Sequence, residues 1–189
     1  KAEKEEEEAQ KEKDDPQTSA KKATELKGQG NQCFKDGDLE GAVEHYTEAL
    51  EYCQPSASAE AKQLLMSLLS NRAWAYCRTQ AWSLAVSDCD AILAVDPSHL
   101  KALFRRGQAR RALELLEGAK ADLERVMEAE PNNRQASAEL ELVERALKAQ
   151  AEARERAQAQ KKKAEETSAA KSKAASSTRI AIVEDDDDD

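Results

Sequence analysis

Five side chains stand out for what they could hold between them. Lys27 and Asn31 are four residues apart, as are Lys101 and Arg105, so each pair shares one face of a helix. Asn71 lies 34 residues before Arg105. The set is three cations and two carboxamides, with no acid among them. It suits a ligand carrying two carboxylates close together. Lysine supplies a compact charge with rotatable donors, and arginine a planar fork. The asparagine amides donate directionally without adding like-charge repulsion. Charge-assisted hydrogen bonds contribute roughly 1.5–3 kcal/mol each. Two or three such contacts approach the roughly −8 kcal/mol of a micromolar peptide complex.

Other chemistries find no matching residues. There is no Gly-rich phosphate loop, no paired-carboxylate acid/base site and no nucleophile motif, and Gly28-Gln29-Gly30 is not a dinucleotide fingerprint. Cys33, Cys53, Cys77 and Cys89 form no C-x-x-C pair, and His45 and His99 are the only histidines. No zinc set results. The cysteines read as free core thiols in a reducing compartment, the cytoplasm. No catalysis, cofactor or metal is therefore expected. The longest apolar stretch, Leu64-Leu65-Met66-Ser67-Leu68-Leu69, falls far short of the ~20 residues of a spanning helix. Lys161-Lys162-Lys163 is followed by Glu165 and Glu166 and has no aromatic nearby. It reads as a solvated helix end rather than a nucleic-acid patch.

The elements that must position the five residues are written in a repeat. All seven aromatics lie between Phe34 and Phe104, which places the folded part. The net charge of −9 comes from the ends: residues 1–15 carry −4, residues 184–189 carry −6, and the rest balances to +1. Ala85 and Ala119, Asp88 and Asp122, Pro97 and Pro131, Leu69 and Leu103, Arg72 and Arg106, and Ala75 and Ala109 are each 34 residues apart. An earlier copy holds Leu26, Gly30, Leu39, Ala42, Tyr46 and Ala49, with Ala42 43 residues before Ala85. The nine extra residues fall near Pro55, as an extended helix end or a loop. Within each unit the apolar residues recur at three- and four-residue steps, the period of a helix. Small residues at Gly30, Ala42, Ala73, Ala85, Gly107 and Ala119 let two helices approach closely. Each unit reads as a helix-turn-helix.

These residues resemble the tetratricopeptide repeat family, whose 34-residue helical hairpins carry small, large and Pro positions in this order. The resemblance implies an all-α solenoid of three hairpins over 23–56, 66–99 and 100–133. It also implies a capping helix over 134–166, whose apolar stripe is Leu140, Val143 and Leu147. Residues 1–20 are expected to be disordered or a frayed helix, and 167–189 a disordered linker with an acidic tail. The chain departs from the pattern at Leu26, Leu69 and Leu103, where the family usually has Trp. It departs again at Arg110, at a site often aromatic, which is expected to loosen the third unit.

The five side chains look like the dicarboxylate clamp of chaperone-binding members of that family. The blocks Lys27-Gly28-Gln29-Gly30-Asn31, Ser70-Asn71-Arg72-Ala73 and Lys101-Ala102-Leu103-Phe104-Arg105-Arg106-Gly107 carry the likeness. By that resemblance Lys27, Asn31 and Asn71 hold a terminal main-chain carboxylate. Lys101 holds the terminal Asp side chain, and Arg105 contacts the preceding peptide. The implied partner is the acidic C-terminal peptide, Glu-Glu-Val-Asp, of seventy- or ninety-kilodalton heat-shock chaperones, and the implied role is co-chaperone or adaptor. Two alternatives stand beside it, a scaffold for a non-chaperone partner and the targeting arm of an enzyme. Phe34, Trp74 and Trp82 read as packing residues, and His45 and His99 as surface or turn residues. Residues 184–189 read as a solubilising tail, or as an acidic run that competes for the clamp.

Overall fold

The computed structural model describes residues 15–53 and 58–183, from 168 onward by backbone. The expectations for 1–14, for the insertion at 54–57 and for 184–189 lie outside these residues. Among the described residues every regular element is a helix: α1 Pro16–Asp36, α2 Leu39–Glu51, α3 Ala59–Arg78, α4 Trp82–Val95, α5 Leu100–Ala112, α6 Leu116–Ala129 and α7 Arg134–Val183. None of them is long and apolar enough to cross a membrane. Odd and even helices pair as the hairpins α1–α2, α3–α4 and α5–α6, and α3 packs against both α1 and α5.

Local chemistry sets the ends. Asp15 Oδ2 accepts from the Thr18 N–H at 2.9 Å, and Pro16 takes the first helical position, where no N–H is needed. Ser19 is buried and its hydroxyl donates to the Tyr52 carbonyl at 2.6 Å. Residues 16–20 therefore belong to the first hairpin, correcting the expectation of a disordered or frayed segment there. His99 is more than a turn residue, because its Nδ1 accepts from Ala102 N–H at 3.2 Å and caps α5. Asn133, one repeat later, caps α7 through the Ala136 N–H at 3.0 Å. The insertion before the second unit lengthens α3, to 20 residues against 13 in α5.

Each hairpin turns through one residue in the left-handed region. Gly37 has φ 87°, while Gln80 and Glu114 both have φ 60°. Glycine adopts this conformation freely, whereas the other two carry the Cβ penalty. Inside the hairpins the small residues are buried as expected. A Cβ on Gly30 would lie 2.7 Å from the Tyr46 ring, and one on Gly107 would lie 2.8 Å from Leu123 Cγ.

The core falls into two clusters. One gathers Leu26, Tyr46, Tyr52 and Leu68, and the other Leu69, Ile92, Leu103, Val126 and Ala136. The chain divides into two compact units, Lys1–Glu144 and Arg145–Asp189. In the first, Ala136 and Val143 of α7 are fully buried. In the second, the side chains of 151–167 are all exposed, with Glu152 and Arg156 paired at 3.7 Å. The stretch 167–183, expected as a disordered linker, is helical. It is rich in Ala as well as Ser, and 134–183 contains neither Gly nor Pro to stop the helix.

Two substitutions should move stability in opposite directions. Gly107→Ala should cost about 1 kcal/mol, because overpacking against Leu123 outweighs the helix propensity gained. Glu114→Gly should add about 0.5–1 kcal/mol by relieving the left-handed strain. Urea unfolding followed by far-UV circular dichroism reads both. Equal midpoints for the two variants would contradict this account of the turn and the contact.

Candidate functional site

The helices that carry the site are fixed by a repeated ion pair. Arg72 Nε and Nη2 meet Asp88 Oδ2 and Oδ1 at 2.9 and 2.7 Å. Arg106 repeats this with Asp122 at 2.8 and 2.6 Å. The remaining Nη1 of each arginine reaches back to the preceding hairpin, to Thr47 Oγ1 at 3.1 Å and to Asp90 Oδ1 at 2.5 Å. Asp88 and Asp122 are buried. Their hydrogen bonds hold both guanidinium pKa values above the usual arginine range. Arg110, expected to loosen the third unit, instead joins it. Its Nη1 donates to Asp122 Oδ2 at 2.8 Å and lies 3.5 Å from the Gly118 carbonyl. A cation at this site tightens the hairpin because buried Asp122 has acceptor capacity for a second arginine.

Asn71 and Arg105 directly precede the two stapling arginines, about 100° round their helices. Asn71 Nδ2 donates to Asn31 Oδ1 at 2.9 Å, joining α3 to α1. The Tyr46 hydroxyl donates to the same oxygen at 2.8 Å. With its oxygen doubly engaged, Asn31 keeps its two N–H donors. Arg105 Nη1 donates to the Ser70 carbonyl and hydroxyl, both at 2.5 Å, which ties α5 to α3. Burial draws the Arg105 pKa below the ordinary arginine value. Its charge is already largely stripped of water, so a carboxylate meeting it displaces little solvent.

Lys101 is exposed and Lys27 half-buried. Among the described residues neither makes an ion pair or side-chain hydrogen bond, and Lys27 touches none of the other four through one. Lys27 lies near Cys53, where its charge opposes the burial that raises that thiol's pKa. The structure thus joins Asn31 to Asn71 and seats Arg105 on Ser70. Lys101 and Arg105 line one cleft of about 790 Å³ together with Trp74, Phe104 and residues of α7.

Trp74 was expected to be a packing residue, but it is 44% exposed. Its ring lies 4.4 Å from Phe34, tilted by 39°, and under the Arg105 guanidinium at 5.4 Å. Trp74 follows Asn71 by three residues and Ser70 by four, so the same helix face carries all three. That spacing was the available signal. Tyr46 and Ser70 gave a weaker one, because a hydroxyl's partner on another helix is not written in local spacing.

No protein-family profile matches the sequence. The chain is 40% identical over 140 residues to human RNA polymerase II-associated protein 3, across 74% of this chain and 20% of that protein. It is also 40% identical, with a TM-score of 0.59, to the first TPR domain of Spaghetti (RPAP3) bound to the HSP90 peptide SRMEEVD. That match covers 68% of this chain and 94% of the other. The chain belongs to the tetratricopeptide repeat family. The second TPR domain of human RPAP3, solved with the HSP70 peptide SGPTIEEVD, is 36% identical with a TM-score of 0.56, covering 69% of this chain and 98% of that one. This tetratricopeptide chain spans about a fifth of the length of the full-length curated relatives it matches first.

The thiols of this tetratricopeptide array are free: Cys89 is buried, and Cys33, Cys53 and Cys77 are half-buried rather than fully in the core. Burial pushes Cys77 up to about 11 and Cys89 up to about 12, although Arg105 pulls both down. Unfolded thiols ionise near pH ~8.5. These raised values therefore add stability that is full below that pH and is lost as pH rises toward 11. Both thiols should resist iodoacetamide at pH 8 in the native chain and react once it is unfolded in urea. Peptide mass mapping reads this, and rapid native labelling of Cys89 would contradict the burial.

Proposed function

We propose that this chain captures the acidic C-terminal peptide of a heat-shock chaperone of the seventy- or ninety-kilodalton class, as a co-chaperone or adaptor. Lys27, Asn31 and Asn71 hold the terminal main-chain carboxylate, Lys101 the terminal Asp side chain, and Arg105 the peptide before it. The observation that carries the reading is the Tyr46–Asn31–Asn71 chain of hydrogen bonds, with Arg105 seated on Ser70. These bonds hold the amides of two helices and the guanidinium of a third in place before any ligand arrives. Such preorganisation lowers the entropic cost of binding. Lys101, with no internal ion pair among the described residues, keeps its charge for a ligand. The peptide-bound relatives, whose peptides both end in EEVD, support the same chemistry. The reading is one of a binding module without a catalytic step, and the free thiols fit the cytoplasm.

Titration calorimetry with the pentapeptide Met-Glu-Glu-Val-Asp, as free acid and as C-terminal amide, tests this. The acid should bind at micromolar affinity and the amide at least ~10-fold more weakly. Lys101→Glu should remove binding of the acid while helicity is unchanged. Tyr46→Phe should weaken binding about five-fold, by releasing Asn31 from its orientation. Equal affinity of acid and amide, or full affinity in Lys101→Glu, would overturn the proposal. Because Trp74 lies under Arg105, its fluorescence offers a second readout.

A further inference from the structure

The cleft beyond the clamp carries a cation that the five-residue site does not use. Lys101, Phe104, Arg105, Gln108 and Arg111 form one stripe of α5, and all of them line the cleft. Arg111 lies six residues past Arg105, about 9 Å further along the helix. Across the cleft stands Glu139 of α7. Its Oε2 accepts from Arg111 Nε at 2.7 Å, and its Oε1 accepts from Gln108 Nε2 at 2.9 Å. Glu139 is 17% exposed and Arg111 35%. Both carboxylate oxygens are thus taken, by a neutral amide and by only the inner nitrogen of the arginine. The two terminal nitrogens of Arg111 have no partner among the described residues. They form the edge of a guanidinium that accepts a second carboxylate in a bidentate pair.

We propose that Arg111, held by Glu139 and Gln108, reads an acidic side chain upstream of the terminal carboxylates in the same bound peptide. The proposal rests on the clamp reading above. An extended peptide advances about 3.3–3.6 Å per residue, so a chain gripped at Arg105 comes level with Arg111 in about three residues. The subsite favours Asp or Glu there, tolerates a neutral residue, and disfavours Arg or Lys. Its effect is selection among chaperone tails that share the same last four residues.

The test uses nine-residue peptides ending Ile-Glu-Glu-Val-Asp, with Asp, Asn or Arg placed in turn at each of the three positions before Ile. At one position the Asp peptide should bind about five-fold tighter than the Asn peptide, and the Arg peptide more weakly than either. Arg111→Gln should bring the three within two-fold of one another and leave the affinity for the pentapeptide Ile-Glu-Glu-Val-Asp unchanged. Circular dichroism confirms that the variant is folded, and Arg111→Lys should restore part of the preference for Asp. No preference at any position, or a preference that survives in folded Arg111→Gln, would overturn the subsite while leaving the clamp intact. If the wild-type chain binds no peptide of the series, the clamp reading itself fails.

Discussion

The bidentate pair between an arginine on the first helix of a hairpin and a buried aspartate on the second governs the rest of this molecule. A coiled hairpin packed on apolar contacts alone could rotate either helix by a fraction of a turn at modest cost. Arg72–Asp88 and Arg106–Asp122 remove that freedom, since two parallel hydrogen bonds fix both angle and register. The third nitrogen of each arginine ties the hairpin to the one before it. Asn71 and Arg105 sit one residue earlier on the same helices, so their direction is inherited from the staples. The orientation of these two side chains is therefore set by ion pairs one residue further along the same helices. Removing one partner would strand a buried charge, which costs far more than the pair contributes.

Close packing makes a parallel connection in the first hairpin. The missing side chain at Gly30 leaves room for the Tyr46 ring, and the ring carries its hydroxyl to Asn31. A residue with no side chain thus orients an amide carried by its own helix. Core volume, a buried phenol and the presented donors form one chain of causes. Tyr46 has a raised pKa, mainly through burial, and so remains a donor across the physiological range.

Much of this architecture is legible in the sequence. The 34-residue offset and the small positions give the helices and their pairing. What stayed hidden was the second partner in each case. Arg72 and Asp88 were both seen as repeated, but their 16-residue separation was not read as a bond, because periodicity along a chain does not say which faces meet. Trp74 reads as packing in the sequence because the neighbours that draw it to the surface, Phe34 and Arg105, come from other helices. Arg110 was read as a flaw because the aspartate that receives it is shared with Arg106. Composition places the start of α1 too late, because the acidic run before it outweighs the Asp15-Pro16 cap signal. Ser and Thr suggest a linker after residue 166, whereas the absence of Gly and Pro lets α7 run on to Val183.

Leu68 and Leu69 are neighbours on α3, yet they serve different clusters, the first with Tyr46 and the second with Ile92 and Leu103. One helix is thus a shared wall. Peeling the first hairpin away would leave Leu68 in water, and unravelling the later ones would leave Leu69 there. Either partial structure exposes a large side chain with no substitute cover, so partly open forms are penalised from both directions. In an array whose units contact only their neighbours, this couples local openings that would otherwise be independent. The amides of α3 should then be the last to exchange with solvent.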